Sequence, residues 1–123
     1  MILVDTSVWI DHFRRSDDLL TDLLAQEQIL VHPFVIGELA FGSLRRRSVI
    51  LEALQDLRQT AVARDDEVLG LIDRHGLFGL GIGYVDVHLL AAVLLTPDAS
   101  LWTRDKRLLA VAERLSLAAR LTH

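Results

Sequence analysis

Short apolar runs of strand length alternate with longer stretches of helical spacing along the whole chain, and this alternation constrains the fold more than any other feature. Ile2-Leu3-Val4 is a run consistent with a buried strand, and Thr6 to Phe13 follows with helical spacing. Asp17-Asp18 opens a helix through Leu19, Leu20, Leu23 and Leu24, after which Gln28-Ile29-Leu30-Val31 reads as a second strand. Pro33 suits the first turn of a helix running to about Leu44. Arg46 to Arg58 makes another, with Val49, Ile50, Leu54 and Leu57 on one face. A very short strand is expected around Ala61-Val62, then a helix from the acidic Asp65-Asp66-Glu67 to His75-Gly76. Gly76, Gly79, Gly81 and Gly83 form a loop before Asp86 to Leu95, a helix so apolar all round that it must be central. Ser100-Leu101-Trp102-Thr103 is a further strand, Asp105 to Leu115 a helix, and Leu117 to Leu121 a last short strand.

Such a series indicates an α/β domain whose mainly parallel sheet, of about four to five short strands, is flanked by about seven helices on its two faces. A chain of 123 residues, 51% of them hydrophobic, can bury one core, so a single domain over residues 1–123 is expected. Sheets of this kind present ligands at the carboxyl ends of their strands. Asp5 and Asp105 follow two of the predicted strands and fall on that edge.

The chain has no cysteine, which removes disulfides and thiolate metal sites from consideration. A cytoplasmic location is expected, since Met1 runs into Ile2-Leu3-Val4-Asp5 without the basic start and long apolar run of a secretory signal. The longest apolar stretch, Leu89 to Leu95, is far shorter than the roughly 20 residues that cross a bilayer, so no membrane association is expected. A net charge of −4 argues at first sight against nucleic acid. Carboxylates that hold a cation count as negative in that sum, however, while the cation reverses the field they present.

Four of the 17 acidic residues stand in apolar surroundings that a solvated face does not explain. Asp5 follows Ile-Leu-Val, Glu38 lies within Phe34-Val35-Ile36-Gly37-Glu38-Leu39-Ala40-Phe41, Asp86 stands between Val85 and Val87, and Asp105 follows Leu101-Trp102-Thr103-Arg104. Desolvating a carboxylate costs several kcal/mol unless a cation or hydrogen bonds compensate. Each Asp precedes or opens a helix, where capping is the competing explanation. Glu38 sits mid-helix, where capping does not apply and an outward-facing surface glutamate is the competing explanation. Convergence of the four would force some to protonate unless divalent cations lay between them. An oxygen-only set favours Mg²⁺, with Mn²⁺ as a substitute, and such ions support phosphodiester hydrolysis.

At these residues the sequence resembles the PIN-domain ribonucleases and, within them, the VapC-type toxins of bacterial toxin–antitoxin pairs. Ile2-Leu3-Val4-Asp5-Thr6-Ser7-Val8-Trp9 looks like the family's opening strand and first acid, and Ile36-Gly37-Glu38-Leu39 like its second. Tyr84-Val85-Asp86-Val87-His88-Leu89-Leu90-Ala91-Ala92 resembles the third motif and Trp102-Thr103-Arg104-Asp105-Lys106-Arg107-Leu108 the fourth. The resemblance implies a PIN-like fold, metal-dependent endonucleolytic cleavage of RNA, inhibition by a small cognate VapB-type antitoxin, and a homodimer. It carries metal and catalytic roles to Asp5, Glu38, Asp86 and Asp105, the last acting directly or through water.

Around these acids, the hydroxyls of Thr6, Ser7 and Thr103 are placed to orient carboxylates or metal-bound water, with local backbone bonding as the alternative. Arg104, Lys106 and Arg107 are candidates for holding RNA phosphates, and Arg45-Arg46-Arg47 is a second basic patch. His88, Trp9 and Trp102 are expected to be structural. Two other functions compete: a catalytically silent PIN-like module that only binds a partner, and an aspartyl-phosphate phosphatase with Asp5 as nucleophile. The phosphatase expects an acid two positions on, where Ser7 stands.

Overall fold

The computed structural model describes residues 1–121. Four strands, β1 (Ile2–Val4), β2 (Ile29–Val31), β3 (Arg58–Gln59) and β4 (Ser100–Trp102), form one sheet in the order β3-β2-β1-β4. Every pairing is parallel, with Ile2 opposite both Ile29 and Ser100, and Leu30 opposite Arg58. Among the described residues six helices connect them, α1 (Thr6–Arg14), α2 (Asp18–Ala25), α3 (Pro33–Phe41), α4 (Arg47–Asp56), α5 (Asp65–His75) and α6 (Tyr84–Leu95), and α7 (Lys106–Arg114) follows β4. The α/β expectation with a parallel sheet is met.

The chain steps outward from β1 to β2 to β3, then returns past β1 to place β4 on its other side. Right-handed crossovers therefore put the first four helices on one face and α5 and α6 on the other. Their divergence makes the gap between β1 and β4 the topological switch point, and its carboxyl end is where a ligand site belongs. Beneath it the core is continuous, because Leu3, Val4, Leu30, Val31 and Leu101 are buried in the sheet and Val87 through Val93 form an unbroken buried stretch of α6.

Several boundaries depart from the sequence expectation. The strand expected at Ala61-Val62 lies instead at Arg58–Gln59, two exposed residues. An edge strand needs only one neighbour's ladder bonds, so apolarity does not mark it. The helix expected to reach Leu44 stops at Phe41, where Gly42 turns into extended backbone and its N–H bonds Leu39 O. The helix opening at Asp86 begins earlier, at Tyr84, so that Asp86 sits in its first turn. The last strand contracts to one parallel bridge, Leu101 to Ala118, held by Leu101 N–H on Leu117 O and Ala119 N–H on Leu101 O.

Candidate active site at the switch point

Asp5 leaves β1 directly and Thr103 leaves β4 directly, and the two meet across the switch point. Asp5 is buried, and its Oδ2 accepts hydrogen bonds from Thr103 Oγ1 and from Ser7 Oγ, both at 2.7 Å. The carboxylate does not cap α1, although it occupies the capping position. The same hydroxyls reach further: Thr103 Oγ1 accepts from Asp105 N–H at 3.1 Å, and Ser7 Oγ accepts from Arg104 N–H at 3.1 Å. One hydroxyl network thus ties the first acid to the loop that carries the last.

Glu38 projects from α3, which Pro33 opens and which Val35 and Leu39 anchor in the core. It is exposed, and Thr6 Oγ1 donates to its Oε1 at 2.7 Å. Asp86, in the first turn of α6, reaches back so that its Oδ2 accepts Gly83 N–H at 2.9 Å. Asp105 caps α7, its Oδ1 accepting from Arg107 N–H at 3.0 Å and Leu108 N–H at 2.9 Å. In each of the four acids one carboxylate oxygen is held by the protein, and the other accepts no hydrogen bond among the described residues.

The acids act on one another electrostatically. Burial raises the Asp86 carboxyl above its ordinary value, and the charges of Asp5, Asp105 and Glu38 push the same way, opposed by the Gly83 N–H bond. A group that feels all three others shares a space with them. Among the described residues no three acid or imidazole groups already close into a ligand cage. The other three acids lie within electrostatic reach of Asp86 without closing a ligand cage with it among the described residues.

A family model for the PIN domain matches residues 2–114. The chain belongs to the PIN-domain family. It is 50% identical over 118 residues, 96% of this chain and 95% of the relative, to the Ribonuclease VapC32 of two Mycobacterium tuberculosis strains, CDC 1551 / Oshkosh and ATCC 25618 / H37Rv.

Of the basic residues around the fourth acid of this PIN domain, Arg104 turns away from the site. Its guanidinium bonds Asp11 Oδ2 at 2.7 Å and Asp17 Oδ2 at 2.5 Å, and lies over the Trp102 ring. Asp17 is read from the sequence only as the start of a helix and Asp11 only as an exposed helical acid, because neither carries a mark of a partner 87 or 93 residues away. Arg107 instead lies against Gly81, a contact whose one trace in the sequence is the density of glycines before α6. Trp9 and Trp102 are buried, as expected for structural residues. Arg47 donates to the Ala40 carbonyl in the last turn of α3, which gives part of the Arg45-Arg46-Arg47 patch a structural job. His88 is buried beside His32, ring centroids 6.2 Å apart. Among the described residues no helix is long and apolar enough to cross a membrane.

Proposed function

We propose that this PIN domain is a metal-dependent endoribonuclease, the toxin of a toxin–antitoxin pair, and that Asp5, Glu38, Asp86 and Asp105 are its metal-holding and catalytic acids. The observation that carries the reading is the convergence of the four carboxylates, since Asp86 feels the charges of Asp5, Asp105 and Glu38 while each of the four keeps one oxygen free among the described residues. Four oriented, half-satisfied carboxylates that repel one another are a donor set in need of a cation. Oxygen donors alone select Mg²⁺, with Mn²⁺ as substitute. A bound divalent ion would supply an acidified water and a counter-charge for the phosphoryl oxygens.

The chain's own residues do the rest. Thr103 and Ser7 hold the buried Asp5 so that its free oxygen does not rotate away. Thr6 fixes Glu38, which projects on an exposed side chain from a separate helix. Asp105 spends one oxygen on the α7 cap, which suits a water-mediated role better than bidentate binding. The name of the Mycobacterium tuberculosis relatives supports the ribonuclease reading and with it a small VapB-type antitoxin partner, whereas a homodimer is only what the family resemblance implies.

The test is cleavage of end-labelled RNA with Mg²⁺ or Mn²⁺, with and without EDTA, by the wild type, Asp5→Asn and Glu38→Gln. Chelation should abolish cutting. Because even outer partners of metal ligands are worth about 10- to 100-fold, each variant should lose at least about 100-fold. Equal activity in all three proteins would remove the proposed site, and no cutting under any metal would favour the silent binding module.

A further inference from the structure

The loop before α6 and the first turn of α7 touch at one point, where Arg107 lies on Gly81. A Cβ built on Gly81 would stand 2.5 Å from Arg107 Nη1, 2.8 Å from Cδ and 3.0 Å from Cζ. Real Cβ atoms do not approach that closely, so a Cβ here would displace the flexible end of Arg107 from this position. Gly81 also has φ +78°, a backbone conformation that side chains disfavour. Both ends of the contact lead to the acids. Gly81 is two residues before Gly83, whose N–H holds Asp86, and Arg107 is two residues after Asp105, which binds its backbone N–H.

Among the described residues Arg107 shares its unpaired donors with Arg14, Arg15, Arg45, Arg46, Arg58 and Arg74; what sets it apart is its place two residues after Asp105 and against the loop that holds Asp86. The Arg104 guanidinium is taken by Asp11 and Asp17, and those of Arg64 and Arg114 by Asp66 and the His75 carbonyl. The Arg107 guanidinium is exposed and makes no hydrogen bond or ion pair among the described residues. A guanidinium is a planar fork of five donors matched to phosphate oxygens.

We propose that Arg107, seated on the bare backbone of Gly81, is the side chain by which this site grips the RNA phosphate backbone beside the cut. Arg104, by contrast, is a latch between the Thr103–Asp105 loop and the α1–α2 corner. The proposal rests on the reading of the four acids as an RNA-cleaving site. Gly81 is then a positioning residue that acts through Arg107.

The experiment measures binding of a short fluorescein-labelled single-stranded RNA of mixed sequence by anisotropy, in EDTA so that nothing is cut, across a salt series. The proteins are the wild type, Arg107→Ala, Arg107→Lys, Gly81→Ala and the Gly81→Ala, Arg107→Ala double variant, with thermal melts of each. Losing one phosphate contact to a single strand should lower the slope of log affinity against log salt by about 0.7, with affinity down about 10-fold in Arg107→Ala. Arg107→Lys should keep the slope and lose part of the affinity. Gly81→Ala should lose most of what Arg107→Ala loses, and the double variant should bind no worse than Arg107→Ala alone.

Unchanged affinity and slope in Arg107→Ala would overturn the proposal, as would a Gly81→Ala loss of the same size with and without Arg107. If Gly81→Ala does not fold, the two Arg107 variants still decide whether that side chain holds phosphate. Cleavage by the wild type but not by Asp5→Asn, with normal binding by Arg107→Ala, would sink this inference alone. A wild type that neither binds nor cuts RNA would sink it together with the proposed function.

Discussion

Asp5 and Asp105 hold the same formal position, the residue before a helix, yet their carboxylates do different work. Asp5 turns from the α1 backbone to the hydroxyls of Ser7 and Thr103, whereas Asp105 caps α7 with Oδ1. Replacing a capping acid by alanine typically costs about 1 kcal/mol, and asparagine caps about as well. Asp105→Ala should therefore lose about 1 kcal/mol in urea unfolding. Asp105→Asn should unfold like the wild type and lose only cleavage. Equal unfolding of the two variants would mean that the cap contributes nothing. His32 makes a second case at this scale. It is fully buried, caps α3 by accepting Phe34 N–H on Nδ1, and leaves Nε2 without a partner among the described residues. Burial, with His88 adding to it, lowers its pKa from 6.5 to about 4. The unfolded chain thus binds a proton that the folded one refuses between these values, so stability present above pH 6.5 is lost as pH falls toward 4. Between neutral pH and about pH 5 this removes about 2 kcal/mol. His32→Asn keeps a capping acceptor without a titrating ring, and its urea midpoint should fall less over the same range.

At the scale of elements, the sequence is readable wherever a segment's burial matches its periodicity. Strands β1, β2 and β4 and the helices α1, α2, α5, α6 and α7 are apolar or amphipathic enough to be placed within a residue or two. Strand β3 is not, because Arg58 and Gln59 pair at an exposed edge and no apolar pattern announces them. The end of α3 misleads in the opposite direction, since Phe41 continues the apolar run yet is 95% exposed. The acids follow that rule only in part: Asp5 is buried and Asp86 half-buried as their apolar contexts suggest, but Glu38 and Asp105 are exposed, and which oxygen is held depends on contacts such as Thr103 with Asp5, 98 residues apart. The glycine loop shows how one sequence signal covers two physical jobs. Gly76 ends α5 with φ +62° and has open space where a Cβ would go, whereas Gly81 faces Arg107. Gly76→Ala should cost about 1 kcal/mol from the left-handed backbone alone, with RNA cleavage unchanged. A clear loss of cleavage in that variant, with the fold intact by circular dichroism, would show that the whole loop and not Gly81 sets the site.

For the molecule as a whole, the candidate site sets function against stability. Four carboxylates gathered at one end of the sheet repel one another, and the raised Asp86 carboxyl registers both that repulsion and the burial of its charge. With its folded pKa above the unfolded value, Asp86 favours folding only when protonated, and its ionised form at neutral pH works against the folded state. Asp86→Asn removes the charge but keeps an oxygen to accept Gly83 N–H. In EDTA this variant should melt above the wild type, as expected where an acid is retained for function at a cost in stability. A divalent cation reverses the order. At a concentration of 100 times its Kd, a ligand that binds only the folded state adds about 2.7 kcal/mol, or about 10 °C in melting temperature for a domain of this size. The wild type should gain that increment in saturating Mg²⁺ and Asp86→Asn little of it, so that the two melting curves cross over between EDTA and Mg²⁺. A variant that melts lower than the wild type in EDTA would show that the Asp86 carboxylate supports the fold, and the reading of these four acids as a strained, cation-seeking set would fall with it.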